Sequence, residues 1–117
     1  GILHGAASYV CQSSEGQIHE TESISAGLDY PGVSPIHCFL KDTKRARYTY
    51  ATDEEALNAY QMVTKFEKLN PSLEPSHAFA ESIRIAPKLS KDTVIIVNSC
   101  GDAKKDRDIL KERLGKY

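Results

Sequence analysis

The chain has 117 residues, enough for one domain, with 40% hydrophobic and 26% charged residues as in an ordinary soluble domain. Its net charge of −1 gives no electrostatic ground for binding nucleic acid or an anionic membrane surface. No apolar run approaches the roughly 20 residues of a membrane span, and three cysteines without CxxC spacing (Cys11, Cys38, Cys100) argue for reduced thiols rather than a disulfide framework or zinc knuckle.

Gly1-Ile2-Leu3-His4-Gly5 has neither an initiator methionine nor a signal-peptide pattern, so the chain reads as a piece of a longer one. Ala7 to Gln12 predicts a strand, Ser13-Ser14-Glu15-Gly16 a turn, and Gln17 to Glu20 a return strand, together a hairpin region over residues 1–22. Residues 23–35, S-I-S-A-G-L-D-Y-P-G-V-S-P, are too irregular for helix or strand. Pro35 suits the first turn of a helix running to about Asp42. Residues 46–117 read as an α/β layer. Arg47 to Tyr50 favours a strand, and Thr52-Asp53-Glu54-Glu55 is a capping box opening a helix. That helix carries Ala56, Ala59, Tyr60, Val63 and Phe66 as its apolar stripe and ends at Asn70-Pro71. A further helix begins near Pro75, with Phe79, Ile83 and Ala86 on one face and Pro87 as its stop. Thr93 to Asn98 is a continuous apolar run of the kind buried on both faces. Asp106 to Leu114 predicts a last helix closed by Gly115. This order implies parallel strands at Tyr48 and Ile95, with the hairpin appended.

Four features have chemistry to offer, and each has a purely structural reading beside it. Ser23–Pro35 is either a surface loop or a backbone cradle, in which Gly27 and Gly32 let main chain approach a ligand or cation. Glu74 is either a favourable charge at a helix start or a carboxylate aimed into a pocket. His77, one turn on, reads as a packed or capping histidine. Asn98-Ser99-Cys100-Gly101 follows an expected strand at the end where open α/β sheets place ligands, or is a plain strand exit. No histidine is visibly paired with Cys100, which argues against a thiol nucleophile. Asp102 to Lys105 reads as a solvated charge run. A lone carboxylate and a lone thiol make no catalytic constellation.

Several motifs then occur in a shared order: G-I-L-H-G, E-G-Q-I-H-E (Glu15 to Glu20), S-I-S-A-G-L-D-Y-P-G-V, T-D-E-E-A-L, L-E-P-S-H-A and V-I-I-V-N. In that order and spacing the chain resembles the C-terminal portion of the tryptophan synthase β subunit family, from Gly1 to roughly Gly101, with D-I-L-K-E-R similar to the family's tail. The resemblance implies part of the three-layer α/β fold of fold-type II pyridoxal-phosphate enzymes, with an appended antiparallel hairpin. It implies a lyase that makes L-tryptophan from L-serine and indole by β-replacement, in the cytoplasm or a plastid. The implied partners are a tryptophan synthase α subunit or domain and a second β chain.

Residue by residue, the resemblance places Ala26 and Gly27 beside the cofactor ring and makes Asp29 the switch carboxylate that pairs with an arginine on closure. It assigns main-chain oxygens of Tyr30 and Gly32 to a monovalent cation (Na or K), and Glu74 to the ring. Leu3 and His4 fall at the indole tunnel, where the family commonly has aromatic residues. Cys100 stands where the family has a serine bonded to the pyridine nitrogen, with Gly101 next to it. After Cys100 the family reads G-R-G-D-K-D where this chain reads G-D-A-K-K-D, and about four further residues are missing before Asp108. The Schiff-base lysine and phosphate loop of the family precede the position of Gly1, so this chain alone is expected to be inactive. Two other readings stay open: a stand-alone, non-catalytic module that binds a partner protein, and a fragment of another fold-type II enzyme.

Overall fold

Capping chemistry fixes the helix starts. The computed structural model describes residues 1–115, and the last two positions of the expected 46–117 layer lie outside the described residues. Helix α1 spans Pro35–Asp42: Pro35 takes the first position, and the Ser34 hydroxyl accepts the Ile36 amide at 3.2 Å. Helix α2 spans Asp53–Glu67. Its capping box forms in full, with the Glu55 amide donating to Thr52 Oγ1 at 3.2 Å and the Thr52 amide to Glu55 Oε2 at 2.7 Å. The helix stops at Lys68, which takes the left-handed conformation with φ 57°. Helix α3 spans Leu73–Ile85 and opens two residues before the expected Pro75. A 3₁₀ turn over Ala86–Lys88 ends it at the expected proline. Helix α4, Arg107–Leu114, is preceded by a 3₁₀ turn over Ala103–Asp106 and closed by Gly115 at φ 67°.

The chain divides into two units. The first comprises Gly1–Ser23 and Gly27–Thr49; the second comprises Ile24–Ala26 and the chain from Tyr50 onward. In the first unit, strands β1 (Ile2–Leu3) and β2 (Ala6–Ala7) pair antiparallel, with Ile2 opposite Ala7 and Leu3 opposite Ala6. The two-residue turn between them, His4-Gly5, has φ of 48° and 79°, the positive pair that a tight hairpin needs. The expected hairpin lies further along and forms only in part. Gln12 and Ile18 make one antiparallel bridge across the Ser13–Gly16 turn, and Val10 bridges Gly32. The Cys11 amide donates to the Pro31 carbonyl at 2.7 Å, but proline has no N–H to return, which limits the ladder there. In the same unit the Tyr9 hydroxyl donates to Asp42 Oδ1 at 2.7 Å, and His37 Nδ1 lies 2.9 Å from the Tyr48 hydroxyl.

The second unit is built on α2 packed against α3. Ile24, Ala56, Tyr60, Leu73 and Leu110 form its core, with Leu57, Ile109 and Leu114 packed on it. Full burial of Leu73 and of Leu110 each contributes about 2 kcal/mol. Four of the five stripe residues expected on α2 are buried, whereas Phe66 is 64% exposed because it lies in the last turn. The parallel strands expected at Tyr48 and Ile95 do not form: both segments lack regular structure, and β1 with β2 makes the sheet found among the described residues. A strand exists through its neighbour's hydrogen bonds, and the Thr93–Asn98 run has no such neighbour here. Val94 and Ile96 are accordingly 83% and 91% exposed.

Replacing Thr52 with alanine removes one half of the capping box. The variant is expected to lose about 1 kcal/mol in urea unfolding, with Thr52→Ser close to the parent. An unchanged midpoint for Thr52→Ala contradicts the cap as a contributor.

Candidate functional site

In the second unit a polar cluster gathers at the start of α3. Ser72, the N-cap residue, does not cap its own helix; its hydroxyl donates to the Cys100 carbonyl at 2.8 Å. The first amide of the helix, that of Leu73, donates instead to Asp106 Oδ2 at 2.7 Å. A carboxylate suits this place because helix N-termini carry orphan N–H groups and partial positive charge. Asp106 is only 3% exposed, and a buried charge needs a partner. Lys105 supplies it: its ammonium group donates to Asp106 Oδ1 at 2.5 Å and to Glu74 Oε2 at 2.9 Å.

Glu74 projects from the first turn of α3 with its side chain 15% exposed. Burial alone pushes its carboxyl upward. Hydrogen bonding from Lys105, its own backbone amide and the Ser25 hydroxyl, with the Ser72 hydroxyl dipole close by, outweighs that effect, and the carboxyl falls to about 2. A lowered folded pKa stabilises the fold above the ordinary Glu range, and that contribution is lost as the pH falls toward about 2. Lys105 is its counterpart. Burial pulls the ammonium down, but bonds to Asp106 and Glu74 pull it further up, so it stays protonated. The same ion pairs join Lys105 to the cluster while its side chain stays 37% exposed, at the end of the solvated run expected over Asp102 to Lys105.

Gly101 has φ of 86°, a conformation that favours glycine. A Cβ there lies 2.4 Å from Ser72 Oγ and 3.3 Å from Glu74 Oε2, so the loop backbone approaches α3 more closely than a side chain allows. The Cys100 thiol is exposed beside it. His77 Nδ1 donates to the Leu73 carbonyl at 2.8 Å, the packed role expected of it. Ala26 opens the short 3₁₀ turn Ala26–Leu28 and is exposed, next to Ser25, which is fully buried.

The remaining sequence candidates lie in the first unit. His4 Nδ1 is 2.7 Å from the Tyr30 hydroxyl, with the rings 5.8 Å apart. A Cβ on Gly32 lies 3.2 Å from Leu3 Cδ2 and 3.4 Å from Tyr30 Cε1. Leu3, His4, Tyr30 and Gly32 are thus neighbours. Gly27 and Asp29 are exposed. Among the described residues no group of His, Cys, Asp and Glu is arranged to hold a metal ion.

Ser25, Ser72, Lys105 and Asp106 were not legible as site residues. The bonds from Lys105 to Glu74 and from Leu73 to Asp106 span 31 and 33 residues, beyond any local spacing pattern.

No protein-family model matches the chain. It does match curated proteins named tryptophan synthase beta chain. One from Bordetella petrii is 50% identical over 115 residues, which is 98% of this chain and 29% of that protein. One from Allorhizobium ampelinum is 52% identical over 106 residues, covering 91% of this chain and 26% of that protein. One from Cereibacter sphaeroides is 50% identical over 115 residues, covering 98% and 28%. The chain is thus similar over nearly its whole length to part of proteins of that name, and it spans less than a third of the length of these relatives.

Gly101→Ala tests the close approach of loop and helix. The added methyl meets Ser72 Oγ on a backbone that alanine adopts poorly, so the variant is expected to lose about 2 kcal/mol or more in urea unfolding. A loss below about 0.5 kcal/mol, the size of an ordinary surface change, overturns the tight packing at Gly101.

Proposed function

We propose that this chain is the C-terminal portion of a tryptophan synthase beta polypeptide and forms one wall of its pyridoxal-phosphate site. The polypeptide joins L-serine and indole to give L-tryptophan, works in the cytoplasm or a plastid, and pairs with an α subunit and a second β chain. The observation that carries this reading is 50% identity over 98% of the chain to a protein of that name. The polar cluster at the start of α3 fits one side of such a cofactor. It presents an ionised carboxylate (Glu74), an exposed thiol (Cys100), and a glycine whose Cβ would collide with Ser72.

When bound, pyridoxal phosphate supplies an electron sink for carbanion chemistry at the amino acid. This chain's residues orient and restrain it. Cys100 offers a neutral donor to the ring nitrogen, a weaker one than the hydroxyl of serine. A neutral donor leaves that nitrogen unprotonated, which favours elimination and replacement over transamination. Glu74 would stand near the ring as an ionised acceptor, and Ala26 and Gly27 would lie beside it. Asp29 meets an arginine on closure. Main-chain oxygens of Tyr30 and Gly32 hold a monovalent cation, and Leu3 and His4 line the indole path. The exposed Thr93–Asn98 run joins a layered sheet completed by the rest of the polypeptide.

Lys105 is the lysine of the cluster, and it is unsuited to covalent attachment of the cofactor. Attack on a carbonyl needs a neutral amine, and two carboxylates hold Lys105 as an ammonium ion. In this reading the attaching lysine comes from elsewhere in the polypeptide. The isolated chain mixed with pyridoxal phosphate and borohydride is expected to show only scattered, weak labelling of surface lysines. Stoichiometric trapping at a single lysine overturns this.

In the intact enzyme Cys100→Ser is expected to retain β-replacement within about tenfold of the parent, about 1.4 kcal/mol. The thiol is expected to react with alkylating reagents more slowly when the cofactor is bound than in the apoenzyme. Equal labelling rates in both states remove Cys100 from the ring.

A further inference from the structure

We propose that Lys105 is a positioning residue for Glu74: clamped by Asp106 beside the start of α3, its ammonium group fixes the orientation and charge of the carboxylate presented to the cofactor. This rests on the functional reading above, which places Glu74 at the ring.

The geometry carries the proposal. Lys105 Nζ lies 2.8 Å from Glu74 Oε1 and 2.9 Å from Oε2, so it addresses both carboxylate oxygens at once. Its other bond, to Asp106 Oδ1, sets where that ammonium group sits. Asp106 is itself fixed, because its second oxygen accepts the Leu73 amide at the first position of α3. Glu74 stands one residue further along the same helix, so helix start, Asp106, Lys105 and Glu74 close a ring of contacts. Each member takes its position from the one before it. The elements packed around Glu74 bring few other ionisable groups. Ser72 and Ser25 contribute hydroxyls, Cys100 contributes a thiol on the adjoining loop, and the Tyr60 phenol, its pKa raised by burial and also by Asp106, donates to Asn70 Oδ1. Lys105 is thus the cation that opposes the cost of burying Glu74, and without it desolvation favours the protonated form. A protonated Glu74 donates a hydrogen bond where the carboxylate accepted one, which alters the electronic character of the cofactor as well as the rate.

The test uses the holoenzyme and follows the absorption spectrum of bound pyridoxal phosphate from pH 5 to 8. The parent and Lys105→Arg are expected to show no titration attributable to this carboxylate in that range. Lys105→Met is expected to show a new step, its midpoint at least one pH unit above the ordinary Glu range, and Lys105→Met combined with Glu74→Gln is expected to lose it. Should Lys105→Met not accumulate as folded protein, Lys105→Gln is read in the same way, since it keeps a donor and removes the charge. If Glu74→Gln alters the spectrum while neither neutral Lys105 variant introduces a step, the positioning role is wrong and the functional reading stands. A step that persists in the double variant belongs to Asp106 or another group and also overturns the proposal. If Glu74→Gln leaves the spectrum unchanged at every pH, Glu74 does not face the ring, and the functional reading of Glu74 fails together with this inference.

Discussion

The second unit depends on a buried carboxylate at a helix N-terminus. Asp106 sits almost wholly out of water and accepts the first amide of α3 while paired with Lys105. A side chain at this place satisfies an orphan N–H that the helix cannot satisfy internally. Because Asp106 belongs to the segment leading into α4, the same bond anchors α4 and brings Leu110 onto Leu73 and Tyr60. Taking out the carboxylate leaves the buried Leu73 amide without its acceptor and removes one of the two carboxylates that hold Lys105, a larger cost than the loss of one surface ion pair.

Ser72 shows how the site is built on that anchor. A serine at an N-cap ordinarily turns its hydroxyl onto its own helix. Here Asp106 already serves the first amide, so the Ser72 hydroxyl reaches across to the Cys100 carbonyl. Gly101 then passes so close to Ser72 and Glu74 that no Cβ fits. One long-range bond thereby frees a second residue to hold the loop carrying Cys100. The outcome is a carboxylate on the helix start with a thiol and a glycine on the loop held against it, the kind of support that fixes the geometry of a site.

The first unit follows a different rule. Its strands are two residues long, and its further pairing consists of single bridges. What orders it is hydrogen bonding and ring contact around Tyr9: its hydroxyl donates to Asp42 Oδ1, its backbone N–H donates to Cys38 Sγ at 3.2 Å, and the Lys41 ammonium lies 4.3 Å from its ring centroid. Exposed Ile36 and Phe39 on α1, like Val94 and Ile96 in the second unit, are apolar residues whose sequence pattern suits burial.

The sequence by itself determined the local features. The Thr52 capping box, the Pro35 start of α1, the α2 stripe from Ala56 to Val63 and the Gly115 stop each depend on residues within a turn or two, and all form as read. The family resemblance was equally legible, because it rests on motif order and not on folding. The strands at Tyr48 and Ile95 were not, since a β-ladder exists only when a second segment meets the first, and no periodicity within one segment supplies that partner. The site divides in the same way. Glu74, Cys100 and Gly101 were readable from motifs, whereas Lys105 and Asp106 looked like part of a solvated charge run and helix start. Only the tertiary structure decided that they close on Glu74 and Leu73, because contacts between residues more than 30 positions apart are set by the packing of α4 against α2 and α3 and leave no local signature.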